Sequence, residues 1–255
     1  MHREKELSEL AGRLKQAAGQ NLRAVVVYGS AVADGFHEEH SDLNVLVVLD
    51  RTGAEELKPL QPVSQWWLRN GHPAPLIFTL DELQSSADVF AIELLDIKRH
   101  HHMLVGEDFL RDLRVPMVLH RLQVERELWT NVVRLRSAYL RLRGRRAELV
   151  ELMIASASSF ATLFRHSLIA LGKDAPASRR EAATQLAELL DFDAAAFHAV
   201  LDIREGKLKP GDADADRVFA AYLRTVGKVA AEMDRRFASE TSPSGRGGHS
   251  VEESK

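Results

Sequence analysis

The first half of the chain alternates between amphipathic segments and short, continuously apolar runs. Leucines at helical spacing predict a helix over residues 3–19. The runs 22–28 and 43–49 are rich in β-branched residues and predict buried strands. Residues 75–79 predict a third strand, and 53–70 predict a helix. This alternation of helices and buried strands is typical of a small α/β domain.

The end of this half is less regular. Asp81 and Glu82 are placed to open a short helix after the third strand, because acidic residues stabilise the first turn of a helix. Residues 87–105 are compatible with either a helix or a strand.

The pattern changes near Pro116, after which only helical periodicity is present. It predicts two long helices, ending at Gly144 and Gly172, and shorter ones near 178–190, 194–205 and 214–237. The predicted fold class is therefore α+β: a small domain of strands with flanking helices, followed by an α-helical bundle. The predicted domains are residues 1–114, residues 115–238 and a disordered tail, residues 239–255.

Composition narrows the function classes. The net charge is −3, which argues against bulk binding of nucleic acid but leaves a local basic groove open. The chain has no cysteine, so thiolate chemistry is excluded and a reducing cytoplasm is expected. No signal peptide is recognisable, and no apolar run approaches the ~20 residues of a membrane span, so no membrane partner is expected.

The candidate chemistry lies around the first two predicted strands. Gly29 and Ser30 end the first strand, where glycine would let a phosphate approach the backbone and serine would add a hydroxyl donor. Asp42 and Asn44 open the second strand, where side chains two residues apart share one face at about 6.6 Å. Oxygen ligands in that place would hold Mg²⁺ against a triphosphate.

These residues resemble the signature of the DNA polymerase β-like nucleotidyltransferase superfamily: Gly-Ser, a spacer, then Ser-Asp-x-Asp before an apolar strand. The helical domain behind it is similar to that of small bacterial and aminoglycoside-type members. The resemblance implies a mixed sheet with flanking helices in the first domain. It also implies a protein that binds Mg²⁺ and a nucleoside triphosphate, and that transfers a nucleoside monophosphate to an acceptor hydroxyl, releasing pyrophosphate. It assigns phosphate binding to Gly29 and Ser30, and catalysis and metal binding to Asp42 and Asn44. The acceptor is unidentified.

The chain departs from the family pattern at two points. Asn44 stands where the family has an aspartate, so the site loses about one unit of charge. The third predicted strand contains no acid, although the family has a third carboxylate on a later strand; Asp81, Glu93 and Asp96 are the alternatives. The competing hypothesis is therefore a catalytically degenerate protein acting as a regulatory, antitoxin-like or partner-binding protein.

Two basic clusters complete the candidates. Residues 98–102, Lys-Arg-His-His-His, are either a basic surface stretch or a segment in which Lys98 or Arg99 reaches nucleotide phosphates. The three histidines cannot all face one metal, because neighbouring side chains point to different sides. The first long helix is rich in arginine, and an ion-paired, solvated face is expected there because Glu125 and Glu127 offset part of the charge. The alternative is a groove between the domains that binds an acidic acceptor.

Overall fold

The computed structural model describes residues 2–29, 32, 43–176, 178–209 and 214–241. The chain divides into two compact units, Met1–Gln123 and Val124–Lys255. The predicted domain boundaries, after residues 114 and 238, stay predictions. Most of the predicted tail lies outside the described residues.

The first unit contains the strands of the sheet and the helices that flank them. In chain order its elements are α1 (His2–Ala18), β1 (Leu22–Tyr28), β2 (Asn44–Leu49), α2 (Ala54–Leu57), α3 (Gln61–Arg69), β3 (Leu76–Phe78), α4 (Leu80–Ser85), α5 (Ala91–Arg99), β4 (His101–Val105) and the beginning of α6 (Met117–Tyr139).

The described strands form one mixed sheet in the order β3-β2-β1-β4. Strand β1 is antiparallel to both β2 and β4, whereas β2 and β3 are parallel. In the β1–β2 pair, Tyr28 stands opposite Asn44. The predicted mixed sheet with flanking helices is confirmed.

Each face of the sheet is covered by a different set of helices, which explains why the strands are apolar on both sides. Val25 and Val27 lie on the α1 face, where they pack with leucines of α1 and with Trp67 of α3. Ala24 and Val26 lie on the opposite face, the α5 face, where Leu94 and Ile97 of α5 cover them.

Two predicted segments differ in detail from the structure. The single helix predicted over 53–70 is divided into α2 and α3 by a 3₁₀ turn, Lys58–Leu60, with prolines at 59 and 62. Proline cannot donate to the helical ladder and is favoured in the first turn, so it begins new helices here. The ambiguous stretch 87–105 contains helix α5 followed by strand β4.

The regular elements among the described residues of the second unit are all helices. It holds the rest of α6, then α7 (Arg146–Ala170), α8 (Arg179–Leu190), α9 (Ala195–Arg204) and α10 (Ala215–Thr241). Its core contains an aromatic cluster in which Phe164 lies 4.7 Å from Phe197, and Phe197 stacks on Tyr222 at 5.9 Å between ring centroids. The predicted helical bundle is confirmed.

Helix α7 is long and apolar enough to cross a membrane by length and composition alone. Its large apolar side chains, including Phe160, Phe164 and Leu168, are buried in the core of the second unit. A core helix of a globular protein meets the same criterion, so the finding carries no further conclusion.

Candidate functional site

Gly29 ends β1 in a backbone conformation that favours glycine. Its φ is +95°, in the left-handed region. Its N–H donates to the carbonyl of His100 at 3.1 Å, and its own carbonyl accepts from the N–H of Val32 at 3.1 Å. The Gly29 amide is therefore already used within the protein, and phosphate binding by Gly29 stays a prediction.

Asn44 opens β2 directly beside this turn. A Cβ added to Gly29 would lie 3.0 Å from Asn44 Nδ2, so the Asn44 side chain occupies the space in front of the glycine. The structure thus brings together two of the four residues predicted for the site, Gly29 and Asn44. The other two, Ser30 and Asp42, lie outside the described residues.

Tyr28 is a neighbour of this pair that the sequence reasoning missed. It stands opposite Asn44 across the β1–β2 ladder and packs on the α5 face of the sheet. Burial, and then the negative charge of Glu93, raise the pKa of Tyr28 to about 12. The alternation of side chains along the two strands could have identified Tyr28, because side chains directly opposite each other in a ladder share one face of the sheet.

Glu93 is held in place by a buried amide. Its Oε2 accepts a hydrogen bond from Gln123 Nε2 at 3.1 Å, and Gln123 Oε1 accepts from the N–H of Ile92 at 2.9 Å. Gln123 is 7% exposed, whereas Glu93 itself is exposed. Glu93 is one of the three carboxylates considered beyond the motif. It is exposed to solvent, it is oriented by Gln123, and its charge acts on Tyr28.

The structure separates Asp81 from the strand where it was considered. Strand β3 ends at Phe78, and Thr79 caps α4 by accepting from the N–H of Glu82 at 3.1 Å. Asp81 therefore lies in the first turn of α4, as its predicted helix-opening role requires. No residue of β3 is acidic.

No family model matches the sequence, and no curated protein matches it. Among solved structures, the chain is similar to spectinomycin adenyltransferase AAD(9) from Enterococcus faecialis, solved with ATP and spectinomycin. The identity is 16%, the TM-score is 0.53, and the match covers 90% of this chain and 99% of that one. The chain has the nucleotidyltransferase fold. A nucleotidyltransferase-like protein from Exiguobacterium sibiricum 255-15 is also similar, with 12% identity, a TM-score of 0.39, and coverage of 92% and 79%.

The described residues do not by themselves provide a set of side chains that could bind Mg²⁺. Within it, no three histidine or acidic side chains lie together as a metal site requires. Asn44 contributes a neutral oxygen, whereas Mg²⁺ prefers carboxylates and waters. Metal binding by Asp42 and Asn44 remains a prediction, since Asp42 lies outside the described residues.

The basic stretch 98–102 is partly structural in this fold. Lys98 Nζ donates to the carbonyls of Arg111 and Leu113, at 2.9 and 2.7 Å. His101 Nδ1 lies 3.1 Å from the carbonyl of Lys98, and its Nε2 lies 3.1 Å from Asp108. Lys98 therefore holds the turn that contains Arg111 and Leu113, and a contact of Lys98 or Arg99 with nucleotide phosphates stays a prediction.

Proposed function

We propose that this chain is a nucleotidyltransferase, which binds a nucleoside triphosphate at the end of β1 and transfers the nucleoside monophosphate to an acceptor hydroxyl. One observation carries the proposal: in a chain with the nucleotidyltransferase fold, the left-handed turn at Gly29 faces the side chain of Asn44, where β1 ends and β2 begins. The similar adenyltransferase was solved with ATP, which supports a nucleotide as the ligand. Ser30 and Asp42 belong to the proposed site through the sequence motif.

In the proposed reaction, the acceptor oxygen forms a bond to the α-phosphorus of the nucleotide. The bond from that phosphorus to the bridging oxygen breaks, and pyrophosphate leaves with the electron pair. The hydroxyl proton passes to a base, for which Glu93 is our candidate because it is exposed and oriented by Gln123. Mg²⁺, when bound with the triphosphate, would neutralise part of its charge.

Thermal melting with each of the four nucleoside triphosphates and Mg²⁺ tests the binding step. A ligand at 100 times its Kd stabilises the folded state by ~2.7 kcal/mol, which corresponds to several degrees for a chain of this size. We expect such a shift with at least one nucleotide, and we expect Asp42→Ala to abolish it. Asp88→Ala is the matched control, because Asp88 is an exposed acid in the turn after α4.

If none of the four nucleotides shifts the melting temperature, the proposed nucleotide site is wrong. A shift that survives Asp42→Ala would place the nucleotide elsewhere on the protein. A shift lost equally in Asp88→Ala would reflect general destabilisation.

A specific observation favours a second candidate, a catalytically degenerate protein that binds a nucleotide or a partner without transferring a nucleotidyl group. Asn44 brings no charge to the site, and strand β3 carries no acid. The sequence-based alternative of a regulatory, antitoxin-like or partner-binding role belongs to this candidate.

Asn44→Asp distinguishes the two candidates. The added carboxylate should tighten binding of the magnesium–nucleotide complex by about tenfold, since one extra charge pair near a partly buried cation contributes about 1–2 kcal/mol. Pyrophosphate release is then measured with a set of small alcohols and amino alcohols as acceptors. Release by the wild-type chain supports the enzyme, whereas release by the Asn44→Asp variant alone supports the degenerate protein.

A further inference from the structure

One segment of the second unit has a charge opposite to that of the whole chain. Residues 134–146, which join the end of α6 to the beginning of α7, contain no acid and no lysine. They carry the six arginines that we call the arginine surface: Arg134, Arg136, Arg141, Arg143, Arg145 and Arg146. The net charge of the whole chain is −3, so this local cluster of positive charge is not apparent from the overall composition.

Four of these arginines are not neutralised by the protein. Arg134, Arg136, Arg141 and Arg143 are exposed, and within the described part of the chain none of them makes an ion pair. Arg145 lies 3.7 Å from Glu148. The ion-paired face expected from the sequence is therefore found at Arg126 with Glu127, but not at Arg134, Arg136, Arg141 or Arg143.

Other arginines of the chain form close ion pairs with acidic side chains. Arg13 lies 2.7 Å from Glu9, Arg180 lies 2.6 Å from Asp202, and Arg235 lies 2.6 Å from Glu232. The favourable interaction of cations with a helix C-terminus extends only over the last turn, so it accounts for Arg136 and not for the arginines that follow α6. The four guanidinium groups without an ion pair can therefore bind an anionic partner.

The type of charge indicates the chemistry of that partner. A guanidinium donates two parallel hydrogen bonds to a phosphate, which an ammonium group does not. Four exposed guanidinium groups without an ion pair, all within residues 134–143, match a ligand with several phosphates better than a single anion.

An exposed aromatic ring lies within the same segment. Tyr139 stacks on Phe219 with ring centroids 4.5 Å apart and an interplanar angle of 24°, yet remains 42% exposed. One side of the ring is thus held by Phe219 while the rest faces solvent, beside Leu140, which is 82% exposed. A fixed aromatic ring among arginines suits an unstacked base, which only a single strand presents freely.

We propose that the arginine surface, with Tyr139, binds single-stranded nucleic acid. The four arginines without an ion pair contact phosphates of the strand, and the exposed part of the Tyr139 ring stacks on a base. A lipid surface fits less well, because interfacial segments bury a continuous apolar face, whereas arginines outnumber the apolar side chains exposed here.

The test uses the full chain and fluorescein-labelled 16-nucleotide strands of RNA and DNA, with the duplex of the same sequence as a comparison. Fluorescence anisotropy should show binding of the single strands at 50 mM salt that weakens as salt rises. Changing Arg134, Arg136, Arg141 and Arg143 together to glutamine should weaken binding by at least tenfold. The slope of log K against log salt should fall by about 3, since each phosphate contact to a single strand contributes about 0.7.

The matched control changes four exposed arginines that are ion-paired elsewhere: Arg13, Arg51, Arg111 and Arg235. It removes the same net charge and should leave binding within about twofold. Tyr139→Ser should weaken binding by at least about fivefold, whereas Tyr139→Phe should retain it, since both aromatic rings stack. The salt slope of the wild-type chain reports phosphate contacts even if a variant fails to fold.

Four results would overturn the proposal. They are an absence of binding to all strands at 50 mM salt, an equal loss of affinity in the control variant, duplex binding as tight as single-strand binding, and a wild-type preference for vesicles of anionic phospholipid. Separate RNA and DNA measurements identify which strand is preferred.

Discussion

At the residue scale, Gly29 is the position where backbone conformation and side-chain packing coincide. It has a φ of +95°, and the space in front of its Cα is filled by the Asn44 side chain. A side chain at this position would be strained twice, by the left-handed backbone and by the contact with Nδ2.

We therefore expect Gly29→Ala to lower the free energy of unfolding by about 1–2 kcal/mol, measured by urea denaturation. Gly12→Ala is the control, because Gly12 lies inside α1 and a Cβ there has no atom within 4 Å. That substitution should stabilise by about 0.5–1 kcal/mol, since alanine has the higher helix propensity. Equal effects of the two substitutions would show that the Gly29 turn does not require glycine.

At the residue scale, the sequence motif placed Gly29 and Asn44 in one site, and the structure brings the Asn44 side chain in front of Gly29. The roles of Ser30 and Asp42 stay predictions, because both lie outside the described residues. Glu93 was one of three carboxylates that the sequence left open, because its relation to Tyr28 depends on a helix that returns across the sheet. Its hydrogen bond to Gln123 joins positions 30 residues apart.

At the scale of single elements, α4 shows how a local signal determines a boundary. Thr79 accepts from the N–H of Glu82 at 3.1 Å, and Glu82 accepts from the N–H of Thr79 at 2.7 Å, which forms a capping box. This cap ends strand β3 and begins α4, and it explains why Asp81 does not extend the strand.

Thr79→Ala should cost about 1 kcal/mol of stability, because it removes the side-chain acceptor for an unpaired helical N–H. The midpoint of urea unfolding measures the loss. Ser85→Ala, at the other end of α4, should change stability by less than about 0.5 kcal/mol, because its hydroxyl bonds only a carbonyl of the last turn. An unchanged midpoint in Thr79→Ala would contradict the role of the cap.

Elements with strong periodicity or apolar runs were predicted well, and elements controlled by prolines or competing patterns were not. The helices of the second unit follow directly from the spacing of apolar residues. The division between α2 and α3 depends on the prolines at 59 and 62, and the spacing of apolar residues alone does not predict it. Residues 87–105 contain a helix joined directly to a strand, so no single period fits them.

At the scale of the whole molecule, the partly buried Tyr28 and the buried Tyr222 make stability depend on pH in the alkaline range. The pKa of Tyr28 is raised to about 12, mainly by burial, and burial also raises the pKa of Tyr222. The folded state therefore keeps protons that the unfolded state releases near pH 10. This stabilisation is fully present below pH 10 and is lost as pH rises through the folded-state values.

Urea unfolding between pH 9 and pH 12 should show this loss, and Tyr28→Phe should reduce it because the variant has no phenol at that position. The stabilities of wild type and variant are compared at pH 8 first, so that any packing effect is subtracted. A variant that loses stability as steeply as the wild type would show that Tyr28 ionisation does not contribute.

Local patterns along the chain were enough to predict the fold class and most helices and strands. These features depend on periodicity and on residues close in the chain. The packing of the folded chain settled which charges are neutralised, because an ion pair depends on the acids that other helices present. It left Arg134, Arg136, Arg141 and Arg143 without ion pairs among the described residues, and it engaged Lys98 with the carbonyls of a distant turn. The same reason placed Glu93 near Tyr28: contacts between distant residues follow from packing, which no local pattern encodes.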